Sequence, residues 1–307
     1  MNAESLGTLS VVISTILTGL NIYLIKIIAL PNRFLLASII LTLSGLILFL
    51  ANTISGKITE ALFQGRKYFL EILWIGVVGT SIPVSMIYYG LSLSPISNTF
   101  LLQTEVIYSM ILSRLLLKER INGWQILLSL SAFLGVFLIT TEGTLKEISF
   151  GDILFLLAPF FFQCGHVVAK NLMQIVNPIV TVMFRLIIGG LAPFPILILS
   201  GLNLLKDVRD IAMGDGIMIA GVSVSYAIGN SFWYYSVKNI NLSRATAIII
   251  TYPLISMVLS IFTLKEGLSP IKLLGIAVTF SSILGLSLLR GKSEATPRNK
   301  GYDTKNA

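Results

Sequence analysis

The sequence predicts an all-α integral membrane protein with ten transmembrane helices, arranged as two inverted five-helix repeats. Three observations predict it. Hydrophobic residues make up 55% of the chain, charged residues only 12%, and the mean hydropathy is +0.88. A soluble domain carries about a quarter charged residues, so in water this chain would expose far too much apolar surface. The apolar residues fall into ten stretches of about 20, the length a helix needs to cross a bilayer. Finally, Ser109-Met-Ile-Leu-Ser-Arg-Leu-Leu-Leu-Lys-Glu119 recurs as Ser256-Met-Val-Leu-Ser-Ile-Phe-Thr-Leu-Lys-Glu266, displaced by 147 positions in a chain of 307. A displacement near half the chain is a duplication, not a solenoid period.

The first stretch, 7–29, is too long for a signal-peptide core and has no basic region before it, so it reads as a span and not a cleaved leader. The second is 33–52. The third, 70–91, follows the longest connection and contains Pro83. The fourth, 97–117, carries Glu105, and the fifth is 122–140. The second half repeats the count with 151–171, which holds the only histidine, His166, then 178–200, 212–236, 243–263 and 270–289. The expected units are 1–141, 142–290 and a polar, basic, disordered tail, 291–307. Five spans per half means that the second half enters from the opposite side. The repeats are then related by a two-fold axis in the membrane plane, as in many secondary transporters.

Orientation follows from Lys and Arg. With the N-terminus inside, the inner connections and tail hold thirteen positives and the outer connections seven, leaving Arg114 and Arg185 within spans. Both termini are therefore expected on the cytoplasmic side of the cell membrane. The net charge is +8, and five of the positives, Arg290, Lys292, Arg298, Lys300 and Lys305, lie in the tail after Leu289, which suits anionic lipid better than nucleic acid.

Aligning the halves pairs Ile82-Pro83-Val84-Ser85-Met86-Ile87-Tyr88-Tyr89 with Ile228-Gly229-Asn230-Ser231-Phe232-Trp233-Tyr234-Tyr235, displaced by 146 positions. Proline kinks a helix and glycine lets it bend. Paired interruptions of this kind point to a transport site, although both residues also serve packing in membrane helices. Ser85, Tyr88, Asn230, Ser231 and Trp233 offer hydroxyl, amide and aromatic groups to a small polar solute. Alternatively the hydroxyls bond their own helices, and the tyrosines form an interfacial belt. Glu105 lies mid-span beside Gln103 and Thr104. A carboxyl at that depth either faces a cavity, holding a solute amine or a coupling proton, or is protonated against a neighbouring helix. The matching place in the second half reads Thr251-Tyr252-Pro253. His166, beside Gln163, is expected to be packed and hydrogen-bonded, and Arg185 to snorkel to the surface as an anchor. Lys118-Glu119 and Lys265-Glu266 read as interfacial anchors or gate ion pairs.

The chain has no phosphate loop and no H-E-x-x-H or G-x-S-x-G motif. Its single Cys164 and single His166 offer no metal cluster. No cofactor, metal or enzymatic activity is expected.

Gly79-Thr-Ser-Ile-Pro83 running into Tyr88-Tyr89-Gly90-Leu91 resembles the third span of the EamA family of the drug/metabolite transporter superfamily. Leu101-Leu-Gln-Thr-Glu105 with Leu115-Leu-Leu-Lys-Glu119 resembles its fourth, although Val106 stands where proline is common. Thr251-Tyr-Pro-Leu254 with Leu264-Lys-Glu266 resembles its ninth, and Gly19-Leu-Asn21, Lys26, Arg33 and Arg185 the spans that open each half. The resemblance implies a ten-helix carrier with a central cavity, moving small metabolites and often exporting amino acids or drugs. The expected function is a secondary transporter, an exporter of amino acids or related compounds, working by alternating access. The rival is a scaffold or receptor on the same fold without transport. The expected substrate-binding residues are Gln103, Glu105, Ser85, Tyr88, Asn230, Ser231, Trp233 and Tyr252, with hinges at Pro83, Gly229 and Pro253. Expected partners are a small-molecule substrate and the lipid bilayer. Protons are a candidate coupling ion, and a homodimer is a candidate assembly.

Overall fold

Asparagine and serine set several of the helix starts. The side chains of Asn2, Asn32, Asn122, Asn177 and Ser269 each accept a backbone N–H from the first helical turn that follows. Such caps satisfy donors that the helix itself leaves unpaired. The computed structural model describes residues 2–30, 32–93, 96–144, 149–199, 204–209, 211–255, 258–259 and 269–289. Most of the second copy of the repeated segment, with Glu266, lies outside the described residues, as does the tail 291–307.

In the first half, α1 is Ala3–Ile27, α2 Arg33–Ile54 and α3 Ile58–Lys67. Next, α4 (Phe69–Gly76) passes through a π-helical turn, Val77–Ser81, into α5 (Ile82–Leu93). A 3₁₀ segment, Ile96–Thr104, leads into α6 (Glu105–Leu116), and α7 is Gly123–Thr141. The second half has α8 (Phe150–Leu172), α9 (Pro178–Leu191), α10 (Phe194–Leu199), α11 (Leu204–Arg209), α12 (Met213–Asn239), α13 (Leu242–Ile249) and α14 (Pro270–Leu288). There are no strands among the described residues.

Six helical stretches are long and apolar enough to cross a membrane: Ala3–Ile25, Arg33–Ile54, Phe69–Gly90, Gly123–Thr141, Phe150–Leu172 and Pro270–Leu288. Shorter apolar helices cover Pro178–Leu191 and Leu242–Ile255. Where ten spans are expected, the fourth is a 3₁₀ segment plus a 12-residue helix, and the eighth, α12, is long at 27 residues but carries Ser223, Ser225, Asn230 and Ser231.

Contacts at the two ends follow the alternation of the chain. At the end where α1 begins, Glu4 pairs with Arg244 at 2.7 Å, and Arg244 also donates to Leu286 O and Ser287 O. At the opposite end Ala29 N donates to Asp215, Glu142 pairs with Lys272 at 3.0 Å, and Arg33 caps α1 by donating to Ile25 O and Ile28 O. Ser269 and Lys272 hold the exposed Glu142 carboxyl below its ordinary range. Large apolar side chains such as Leu50, Leu115, Ile217 and Leu274 stay exposed, as lipid-facing residues should.

Glycine lets the helices approach. A Cβ on Gly45 of α2 would meet Met183 O and Ile187 N of α9, and one on Gly190 of α9 would meet Ser38 O and Thr42 N of α2. The contact is reciprocal: Gly45 to Gly190, Thr42 to Ile187 and Ser38 to Met183 are each 145 positions apart. Between α7 and α14, Gly135 meets Gly275 O and Thr279 N, while Gly275 meets Gly135 O and Ile139 N. At the π turn, Gly79 lies against Gly165 of α8, where an added Cβ would come within 2.6 Å of the Gly165 Cα. Small residues at such crossings supply the van der Waals contact that holds membrane helices together, since lipid gives apolar faces no reason to leave it. α1 packs with α12, α2 with α9 and α12, α4–α5 with α8, α6 with α8 and α13, and α7 with α14.

Gly165→Val should therefore destabilise the bundle by about 1–3 kcal/mol, the usual cost of overpacking. Gly221→Ala should be neutral or slightly stabilising, because nothing lies within 4 Å of a Cβ at Gly221. Thermal unfolding of both variants in detergent micelles checks the contrast.

Candidate functional site: a cavity above a buried polar cluster

Helix breaks inside the bundle place the polar groups. In the fourth expected span the backbone changes from 3₁₀ to α between Thr104 and Glu105, so Glu105 is the first residue of α6. Thr104 before it is already helical, so the segment tightens and relaxes here without a gap in the helix. In the ninth span α13 stops at Ile249, Ile250 and Thr251 form a turn, and helix resumes over 252–255. Glu105 and Tyr252 are 147 positions apart, the same displacement as that of the repeated segment. The two breaks touch, with Gln103 Nε2 donating to the Tyr252 hydroxyl at 3.2 Å.

These breaks are not the ones expected from Pro83 and Gly229. Pro83 is the second residue of α5, just after the π turn. Gly229 lies inside α12, which runs through it without interruption. Its carbonyl accepts a hydrogen bond from Ser14 Oγ at 2.9 Å, and its missing side chain admits Leu17 of α1. Pro253 follows the Ile250–Thr251 turn.

A cavity of about 280 Å³ opens beside the two breaks. Thr18 and Asn21 of α1, Ala37 and Ile40 of α2, and Val84, Ile87 and Tyr88 of α5 form one side. Gln103, Glu105, Pro159, Phe162, Tyr226 and Tyr252 complete its floor and far wall. It occupies the half of the bundle nearer the α1–α2 connection.

Beneath the floor lies a connected polar cluster. Gln163 Nε2 donates to Glu105 Oε1 at 2.7 Å and lies 3.3 Å from His166 Nδ1. His166 Nδ1 is 3.8 Å from Glu105 Oε1. Trp233 Nε1 donates to His166 Nε2 at 3.3 Å, and Phe162 stacks on the imidazole. Because Trp233 can only donate, Nε2 must accept, and the proton of the neutral ring sits on Nδ1, towards Gln163 and Glu105. Arg185 is buried as well. Its Nε donates to Thr80 Oγ1 at 2.8 Å, its Nη1 to Asn230 Oδ1 at 3.2 Å, and the guanidinium sits 5.0 Å from the Tyr234 ring centroid. It is not the snorkelling anchor expected from sequence, because the buried face of α9 turns it towards α12 and the π turn. That turn supplies Thr80 as its acceptor.

Four of the eight sequence-named residues, Tyr88, Gln103, Glu105 and Tyr252, thus line one cavity. The other four are placed elsewhere. Ser85 donates to Ser81 O and Ser231 to Ala227 O, within their own helices. Asn230 serves Arg185 and Tyr226 O, and Trp233 serves His166. Asn21, Phe162 and Tyr226 also line the cavity and are not among those eight. A lone asparagine in an apolar span was the available signal for Asn21.

The EamA-like transporter family model matches the chain twice, over residues 5–141 and 149–288. The chain belongs to the EamA-like transporter family. An uncharacterized transporter of Bacillus subtilis (strain 168), YyaM, is 22% identical over 233 residues, covering 73% of this chain and 75% of that protein. A protein of known crystal structure superimposes with a TM-score of 0.78 at 14% identity, covering 95% of this chain and 98% of the other, a likeness of fold alone. As an EamA-like protein the chain is a multi-pass membrane transporter that handles a small molecule.

In this EamA-like chain the end of the bundle opposite the cavity is tied by the Lys118-Glu119 turn. Lys118 takes φ 55°, a left-handed conformation that turns Glu119 inward. Glu119 accepts from Lys170 Nζ at 2.8 Å and Leu242 N at 2.7 Å, and its second oxygen accepts from Ser243 N and Ser243 Oγ. It caps α13 in place of Asn241, whose side chain makes no capping bond. Both charged side chains are nearly buried. Lys170→Met, which strands the carboxylate, should cost about 3 kcal/mol, and Lys170→Met with Glu119→Leu together should cost less, because no buried charge is then left unpaired. Unfolding of the two variants in mixed micelles measures the order.

Proposed function

We propose that the chain is a secondary transporter of small organic metabolites, exporting amino acids or related compounds across the cell membrane by alternating access. The cavity bounded by Glu105 and Tyr252 is the substrate site, and the observation that carries the reading is the pair of touching helix breaks beside it. Interrupted helices at mid-depth are how many secondary transporters aim helix ends at a solute.

The reading takes ten spans as two inverted repeats with both termini cytoplasmic. Helix pairing supports it. Numbering the spans in order, α1–α12 pairs the first with the eighth, and α4–α5 with α8 pairs the third with the sixth. Exchanging the halves turns one of these contacts into the other. It returns the second–seventh, fourth–ninth and fifth–tenth contacts to themselves, and the reciprocal Gly45 and Gly190 contacts fit the same axis. The two matches of one family model, either side of the 142–148 connection, also fit two repeats.

In this scheme the π turn before Pro83 and the turn before Pro253 are the hinges. The Glu119–Lys170 and Glu4–Arg244 pairs close the cytoplasmic end while the cavity opens outward. Glu105 is the carboxyl that changes partners. When it carries a proton and the Gln163 amide is turned over, that oxygen accepts from both the Glu105 hydroxyl and His166 Nδ1–H. The Trp233–His166–Gln163–Glu105 chain is then donor-to-acceptor throughout, so the same carboxyl suits a coupling proton.

In proteoliposomes loaded with labelled solute, Glu105→Gln should lower efflux at least about tenfold and flatten its dependence on a pH gradient. Unchanged flux and pH dependence in this variant would refute the role given to Glu105.

A further inference from the structure

The wall of the cavity is unevenly supplied with charge. Glu105 is an acid, and none of the other described lining residues is Lys, Arg or His. The Gln163 bond is to Oε1 of Glu105, which leaves Oε2 for a ligand. The amide of Gln103, which could serve an anion, already donates to Tyr252. Arg185, the nearby cation, is not among the lining residues. Its guanidinium is taken up by Thr80, Asn230 and the Tyr234 ring. Among the described lining residues, a ligand carboxylate entering the cavity would meet no cationic partner and one like charge.

Rings form much of the remaining wall. Tyr88, Phe162, Tyr226 and Tyr252 come from four different helical segments and face the same space as Glu105. Aromatic faces attract a cation within about 6 Å of the ring centroid. Between them lie aliphatic side chains such as Ile22, Ile40 and Val84, which suit an apolar body. Asn21 adds an amide that is 3% exposed, with an Oδ1 that has no hydrogen-bond partner.

We propose that the ligand of this cavity is an organic ammonium with a compact apolar or aromatic body, held by Glu105 Oε2 and the surrounding rings, in preference to a zwitterionic amino acid or a carboxylate. The proposal rests on the reading of this cavity as the substrate site and, within the amino acids and related compounds named there, selects the amines over the amino acids themselves. The ammonium exchanges its water shell for the carboxylate and the ring faces. A zwitterion with the same body brings a second charge to which the described wall offers only neutral hydroxyl and amide donors and no opposite charge, and a buried charge without a counter-charge is expensive. The cavity, at about 280 Å³, also limits the body to a single ring or a short branched chain.

Three probes with one body test it on the purified full chain in detergent micelles: 2-phenylethylamine, phenylalanine and 3-phenylpropanoate. Calorimetric titration and thermal shift should show binding of the amine, with the zwitterion and the acid at least about tenfold weaker, the discrimination one unsatisfied group provides. Glu105→Gln should weaken the amine by a similar factor. Tyr252→Leu, which keeps the acid and removes a ring, should weaken it severalfold and serves if Glu105→Gln does not fold. Phenylalanine or 3-phenylpropanoate binding as tightly as the amine would overturn the proposal, as would no amine binding or amine binding indifferent to Glu105→Gln. Failure here is separable from failure of the transport reading: amine binding without flux in proteoliposomes sinks transport alone, and flux of a zwitterion without amine binding sinks the ammonium alone.

Discussion

A helix in a bilayer must satisfy its own backbone, and an interruption survives only where protein or a cavity covers the freed groups. That constraint organises this bundle. The chain breaks at Thr104–Glu105 and again at Ile250–Thr251. Neither break faces lipid, because each is covered by the other, with Gln103 reaching Tyr252 across the contact. A cavity forms at the breaks because the broken ends leave space that straight helices would fill. Glu105 is tolerated there for the same reason. It opens α6 beside the cavity, and Gln163 supplies a side-chain donor.

Below that layer the charges are sorted by what can pair with them. Arg185 sits deep, but its contacts are a hydroxyl, an amide oxygen and a ring face. Glu119 and Lys170 sit near one end and satisfy each other, with the first N–H groups of α13 taking the rest of the carboxylate. Close glycine contacts between halves keep these layers in register. At the Gly79–Gly165 crossing the two backbones approach with no side chain between them, beside the π turn that presents Thr80 to Arg185. The structure is thus tied at the end where α1 begins and hollow towards the other.

Much of this was legible from residue types alone. Glu105 stood out because a mid-span carboxyl needs a partner or a cavity, and it has both. Tyr252 was legible as its counterpart in the second half. The break itself was not, because the change from 3₁₀ to α over Gln103-Thr104-Glu105 involves no proline or glycine. Conversely, Pro83–Gly229 was a true sequence correspondence between structurally unequal places. Proline at the second position of α5 costs its helix little. Gly229 is used for contact with α1 and leaves α12 straight. Arg185 was misplaced for a different reason. Depth along a helix can be counted, but the direction a residue faces depends on which neighbours the helix has.

Composition and span length determined by themselves that this is a helical membrane protein, the repeated Leu-Lys-Glu segment pointed to two related halves, and a single carboxyl stood out in the middle of a span. Those properties are local or periodic, and the bilayer enforces them on any chain of this composition. Only the tertiary structure decided that Glu105 shares a cavity with Asn21, Phe162 and Tyr226, that His166 and Trp233 stand behind it, and that Arg185 faces inward. These depend on how helices from opposite halves rotate and meet, and that is set by glycine contacts between residues more than a hundred positions apart.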